Sequence, residues 1–301
     1  MYYALAALLG GLITLMYGVN SRFSGIAGAL VSIVVIHLSG LAAVCLLSLA
    51  RREPPRPGRL PFYIYLGGLV GVGTVLTGNY AYQSLPASLA VALGLLGQSL
   101  ASIVVDASGL LGRQRYPLAL RRLPGVALAA AGAVVLAGTT GGRGSSALPM
   151  LAALCAGALP TFSVLLNSEL GRRKGLLYST RMNYVVGLAT SLVLVLAARP
   201  PAAASVHAVV SAGPFLALAG GVMGVCVVTV FSVLFARMPA LSATLLVFCG
   251  QALTGVLFDL LREGAVDVRK LAGTLLVLGG LALGGVLGRR EPERAPAPPT
   301  P

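Results

Sequence analysis

The chain has no tryptophan, two histidines and eight acidic residues among its 301, and charged residues make up 10% of it. So few acids and imidazoles leave little for general acid–base chemistry. No HExxH, GxSxG or Walker sequence is present, and the acids do not cluster at metal-ligand spacing. An enzyme is therefore not expected, and no cofactor or metal is implied. The four cysteines, Cys45, Cys155, Cys226 and Cys249, stand singly in apolar surroundings without a CxxC spacing. They read as small buried hydrophobes. The start, MYYALAALLGG, lacks a basic region and a cleavage site, which predicts a retained first helix rather than a signal peptide.

Apolar sequence is what the chain has in abundance. Hydrophobic residues make up 57% of it, more than a soluble domain needs. Ten stretches are long and apolar enough to cross a hydrocarbon core as helices: 3–21, 25–50, 62–83, 87–107, 120–138, 147–167, 175–198, 211–234, 239–261 and 269–288. The predicted fold class is an all-α integral membrane protein. A formal charge of +14 in a soluble protein would suggest nucleic acid. Here most basic residues lie between spans, so the expected partners are the lipid bilayer and a small-molecule substrate, with no nucleic acid.

Basic residues alternate along the connections. With the N-terminus inside, inner segments hold fifteen and outer segments six, with Arg181 inside a span. The positive-inside rule then predicts a multi-pass protein of the inner or plasma membrane with both termini cytoplasmic. One signal opposes this. Arg262, Arg269 and Lys270 crowd an outer loop, and the nearby acids Glu263 and Asp267 count little in the rule.

The chain also repeats itself. GQSLASIVVD (Gly97 to Asp106) and GQALTGVLFD (Gly250 to Asp259) share Gly, Gln, Leu and Asp, 153 residues apart. Each follows a proline, Pro86 or Pro239, by the same interval. Asn20-Ser21 matches Asn167-Ser168, Gly40-Leu41 matches Gly187-Leu188, and GGLVG at Gly67 matches GGVMG at Gly220. Arg122-Leu123-Pro124-Gly125 matches Lys270-Leu271-Ala272-Gly273. Five spans per half is an odd number, so the second half must enter the membrane inverted. The expected organisation is a first five-helix repeat at 1–139, a linker at 140–146, an inverted second repeat at 147–288 and a disordered tail at 289–301. Glycines four apart (Gly67/Gly71, Gly220/Gly224, Gly280/Gly284) predict close helix crossings.

Asn near the end of the first helix, GG in the third, Pro then GQxLxxxxxD in the fourth, and a basic-plus-Gly start to the fifth resemble the YdcZ-like group of the drug/metabolite transporter superfamily. The chain looks like its fused ten-helix form over about residues 3 to 288. The resemblance implies two inverted five-helix repeats, a site between them and alternating access. One departure is visible: span 7 carries Asn183-xxx-Gly187, whereas span 2 has Ile36, then His37, at the matching place.

Polar side chains inside a bilayer cost free energy unless paired or wet, so they mark candidates. Gln98 and Gln251 fall near the middle of their spans, roughly 18 Å past the preceding proline, and could offer a symmetric amide pair to a substrate. His37, midway through span 2, is either a proton-sensitive substrate ligand or a histidine held in helix packing. Arg181 could snorkel to the surface or favour an anionic substrate. Asn183, Asn79 and Tyr80 join the substrate-binding candidates, with the aromatics near Asn79 also suited to the membrane interface. Asn20 and Asn167 could cap helix ends or line two entrances. Asp106 and Asp259 fall near the far interface and are candidates for gating or coupling, each within reach of a basic residue such as Arg121, Arg122, Arg269 or Lys270.

The expected function is secondary transport of a small metabolite or drug-like compound by alternating access, in the export direction. The alternative is a non-transporting membrane scaffold or lipid-handling subunit. Both a monomer and a homodimer fit, since one chain already holds both halves.

Overall fold

The structure, a computed structural model, describes residues 2–51, 58–110, 121–139, 146–237, 240–264 and 267–288. Most of the expected linker, the tail from residue 289 and Pro239 lie outside the described residues.

The described residues form ten α-helices and no strand. A chain this apolar must satisfy its backbone internally in lipid, and helices do so segment by segment. The first five are α1 (Tyr2–Ala27), α2 (Ala29–Arg51), α3 (Gly67–Ser84), α4 (Ala87–Ser108) and α5 (Leu123–Gly138). The second five are α6 (Ala147–Lys174), α7 (Leu176–Ala198), α8 (Ala202–Arg237), α9 (Ala240–Glu263) and α10 (Val268–Leu287). A 3₁₀ turn, Phe62–Leu66, leads into α3. Nine of the spans are long and apolar enough to cross a membrane. At 16 residues α5 is shorter, about 24 Å by helical rise.

Helix breaks recur at matching places. Gly28 ends α1 at φ +82°, and Gly175 ends α6 at φ +104°. That region suits glycine, so each first helix turns into its second with almost no loop. In α4, Pro86 precedes the first helical residue and Gly109 closes the far end in the left-handed region.

One span departs from expectation. The eighth was predicted to begin at residue 211, which leaves His207 between the spans 175–198 and 211–234. Instead α8 begins at Ala202 and bends at Gly213-Pro214, where Gly213 has φ +81° and ψ 160°. Proline removes an intrahelical hydrogen bond and allows the bend. His207 therefore sits on a short helical arm, whose Ala208, Val209 and Ala212 pack near Phe23, Ala27 and Ile36.

Packing follows a pseudo-twofold pattern. α1 packs against α8 and α9, and α6 packs against α3 and α4. α2 packs on α8, as α7 packs on α3. Three pairs meet their own counterparts: α2 with α7, α4 with α9, and α5 with α10. The largest contacts thus cross between halves. The main apolar core gathers around α4, with Leu89, Leu95, Ala129, Leu136 and Val277 among its most buried members.

Candidate functional site

The repeat-matched residues of the two halves meet in mirrored contacts. On α1, Asn20 lies where a Cβ on Gly220 of α8 would stand. On α6, Asn167 lies where a Cβ on Gly67 of α3 would stand. Next to these, Gly68 abuts the Asn183 carbonyl and the Gly187 backbone, and Gly221 abuts the Ile36 carbonyl and the Gly40 backbone. Any side chain at Gly68 or Gly221 would press into a neighbouring helix backbone, which cannot step aside. The motif glycines behave alike: Gly97 faces the Leu154 carbonyl, and Gly250 faces the Ala7 carbonyl.

Asn20 and Asn167 were expected to cap helix ends or line entrances. Neither is a cap, because α1 and α6 continue past them to Ala27 and Lys174. Both instead fill glycine notches in the opposite half.

Their surroundings differ. The Asn167 amide donates to Asn183 Oδ1 at 2.8 Å and to Ser163 Oγ at 3.2 Å. Ser163 in turn donates to the Gly67 carbonyl at 2.9 Å, and Ser179 donates to the Asn167 carbonyl at 2.7 Å. Asn20 has no such set. Met16 and Ile36 stand at the places matching Ser163 and Asn183. Asn20 Oδ1 is buried without a hydrogen-bond partner, as are Ser24 Oγ and both amide atoms of Asn79. Asn20, Ser24 and Asn79 are 3%, 4% and 1% exposed.

Between α2 and α7 the repeat mates are His37 and Tyr184, which meet edge to face with centroids 6.0 Å apart. The His37 ring occupies the notch at Gly187, and the Tyr184 ring occupies the notch at Gly40. His37 Nδ1 lies 2.8 Å from the Ile33 carbonyl, so that nitrogen carries a proton and donates. Tyr184 donates to the Gly221 carbonyl at 3.3 Å.

The aspartates occupy opposite ends of the bundle. Asp106, at the end of α4, pairs with Arg122 at 2.9 Å, and both side chains are more than a quarter exposed. Asp259, at the end of α9, is 3% exposed. Its Oδ1 accepts from Ala87 N at 2.7 Å, and its Oδ2 accepts from Ser88 N at 3.1 Å and from the Ser88 hydroxyl. The carboxylate so caps the first turn of α4 from across the interface. Lys270, the repeat mate of Arg122, lies 3.8 Å from Asp259 and bonds Glu263 at 2.5 and 2.6 Å. Lys270 is itself 4% exposed, so it belongs to this buried network rather than to a solvated loop.

Comparison with known proteins agrees with this layout. A family model described as "Putative inner membrane exporter, YdcZ" matches residues 1–135 and again 148–283. The chain belongs to this family. It is a multi-pass inner membrane protein of a transporter family, not of an enzyme family. No curated protein matches it. Thirteen chains of solved structures do. One, a crystal structure of a protein 21% identical, has a TM-score of 0.56 and matches over 94% of this chain and 97% of that one. At that identity the likeness concerns fold alone.

For this YdcZ-family chain, the remaining candidates separate. Gln98 and Gln251 are half-buried in the middle of α4 and α9. Thr14 donates to the Gln251 carbonyl at 3.2 Å, and Ser102 donates to the Gln98 carbonyl at 2.8 Å. Asn183 joins the Asn167 network. Arg181 is half-buried and stacks 5.7 Å from the Tyr178 ring centroid, apart from that network. Tyr80 is 42% exposed, on the outward side of α3.

Sequence reasoning missed Tyr17 and Ser24. Tyr17 and Tyr82 stack with centroids 5.1 Å apart, and the Gly78 notch receives the Tyr17 ring. The cue was available: tyrosines at 17 and 82 share their helices with Asn20 and Asn79.

Proposed function

We propose that this chain is a secondary transporter that exports a small, neutral, hydrogen-bonding metabolite or drug-like compound by alternating access. Two interlocked halves with mirrored crossings suit a mechanism in which two related arrangements exchange. The observation that carries the substrate class is the set of unpaired buried groups on α1 and α3: Asn20 Oδ1, Ser24 Oγ and the Asn79 amide. An unpaired buried polar group is costly, so such a set favours a ligand bearing both donors and acceptors. All three groups are neutral, so they offer no charge to an ionic substrate. Asn167, the repeat mate of Asn20, is instead held by bonds to Asn183 and Ser163, which gives it a structural role.

Orientation belongs to the same reading. The fifteen-to-six bias in basic residues supports both termini being cytoplasmic. The burial of Lys270 weakens the one opposing signal, because that charge is paired inside the protein. The Asp106 end then faces the cytoplasm and the Asp259 end faces outward.

The test uses the purified full chain in liposomes with a panel of neutral metabolites and drug-like compounds. Saturable flux is expected, with Asn20→Ala/Asn79→Ala losing at least about tenfold in flux while keeping its melting temperature. Unchanged flux in that variant would remove the substrate role of these asparagines. Folded protein that moves nothing in the panel would favour the scaffold reading.

A further inference from the structure

We infer that Asp259 is a latch: its carboxylate holds one end of the bundle shut by capping α4, and releasing it opens that end while closing the end that carries Asp106. This rests on the alternating-access reading above.

The geometry differs between the two ends in the way a closed and an open gate should. Asp259 belongs to the second half, and its three recorded donors, Ala87 N, Ser88 N and Ser88 Oγ, belong to the first. α9 therefore cannot move away from the start of α4 at this end without breaking all three bonds. The amide groups of a first helical turn have no intrahelical acceptor, so breaking the cap also leaves them unpaired until water enters. The closed arrangement is tight. The Asp259 side chain is 5% exposed, as is the side chain of Lys270 behind it. One turn further in, Val91 of α4 is 4% exposed and lies against Gly255 of α9.

At the other end the repeat mate is held differently. Asp106 and Arg122 both lie within the first half, and their side chains are 30% and 28% exposed. The pair ties α4 to the start of α5, so it does not bridge the halves. The same Asp-and-base element thus forms an inter-half clasp at one end and an intra-half pair at the other. In the proposed orientation this is the inward-open arrangement, with the outer end latched. A symmetric protein exchanging its two states would transfer the clasp from Asp259 to Asp106.

Lys270 of α10 lies 3.8 Å from Asp259 and pairs with Glu263 of α9.

The test needs no substrate. Full-length protein, with Cys45, Cys155, Cys226 and Cys249 replaced by alanine or serine, is placed in nanodiscs, where reagent reaches both faces. Val91→Cys reports the Asp259 end, and Thr244→Cys, its repeat mate on α9, reports the Asp106 end. The rate of modification by a charged methanethiosulfonate is followed. With Asp259→Ala, Val91→Cys is expected to react about tenfold faster and Thr244→Cys several-fold slower, as a shift between two states requires. Asp259→Asn, which keeps the shape and one acceptor, should fall between. Asp106→Ala should not accelerate Val91→Cys. A Val91→Cys rate within about twofold of the parent would overturn the latch. So would acceleration at both ends, because that marks general loosening. Neither result bears on liposome flux, so the transporter reading stands or falls separately.

Discussion

The two halves share one plan and finish it differently. In the second, Asn167 is tied to Asn183 and Ser163, and the three bind α6, α7 and α3 into one polar knot. In the first, Ile36 and Met16 stand in the partners' places, and Asn20 reaches its glycine notch with its carbonyl unpaired. Shared backbone crossings hold both halves together; the side chains around them decide which half is stiff. Hydrogen-bonded polar groups in a low-dielectric interior stabilise a single arrangement, whereas unpaired ones leave room for a partner that comes and goes.

The crossings give the largest expected effect. Gly68→Leu and Gly221→Leu each drive a side chain into backbone, so each should cost on the order of 3 kcal/mol or prevent folding. Thermal unfolding in detergent would read this, and a tolerated leucine at either site would break the mirrored-crossing account. Next comes the knot. Asn167→Ala should destabilise by about 1–3 kcal/mol, because Asn183 and Ser163 lose a buried partner. Asn20→Ala should change unfolding far less, and equal losses in the two variants would erase the proposed division of labour. A third variant would sharpen the contrast. Ile36→Asn restores the missing partner and should raise stability by about 0.5–1.5 kcal/mol while reducing flux, if Asn20 then bonds as Asn167 does. The smallest effect belongs to the Asp106 end, where both partners are partly solvated. Asp106→Asn should shift stability by less than about 1 kcal/mol in the same unfolding assay.

The number and order of the helices were legible in the sequence, because lipid allows an apolar chain few alternatives to helices. Repeat matching also read correctly through the contacts. Gly67 and Gly220, paired by sequence alone, receive Asn167 and Asn20, which sequence had paired as well. Three things were harder to see. Glycines four apart pointed to Gly67 and Gly71; Gly67 does receive the Asn167 side chain, yet Gly71 has only ordinary contact with Asn183, and the close approach to backbone is at Gly68. Which face of a helix meets a neighbour depends on crossing geometry, which spacing within one helix does not encode. The bend in α8 was missed because Gly213 and Pro214 lie among apolar residues that continue the helix on both sides. The Asp259 cap was also out of reach: it joins residues 171 and 172 apart, and neither side alone announces the other.

Most inter-helix contact lies between the halves rather than within them: α1 sits on α8 and α9, α6 on α3 and α4, and α5 on α10. Either half expressed alone would therefore present the surfaces that normally bury the other. Joining them in one polypeptide gives each copy a fixed address. Two identical five-helix subunits must make every change twice, once on each side of the axis. A single chain can change one copy of a contact and keep the other, as it has at Ile36 and Asn183. Covalent linkage is thus what makes the inequality of the two halves heritable.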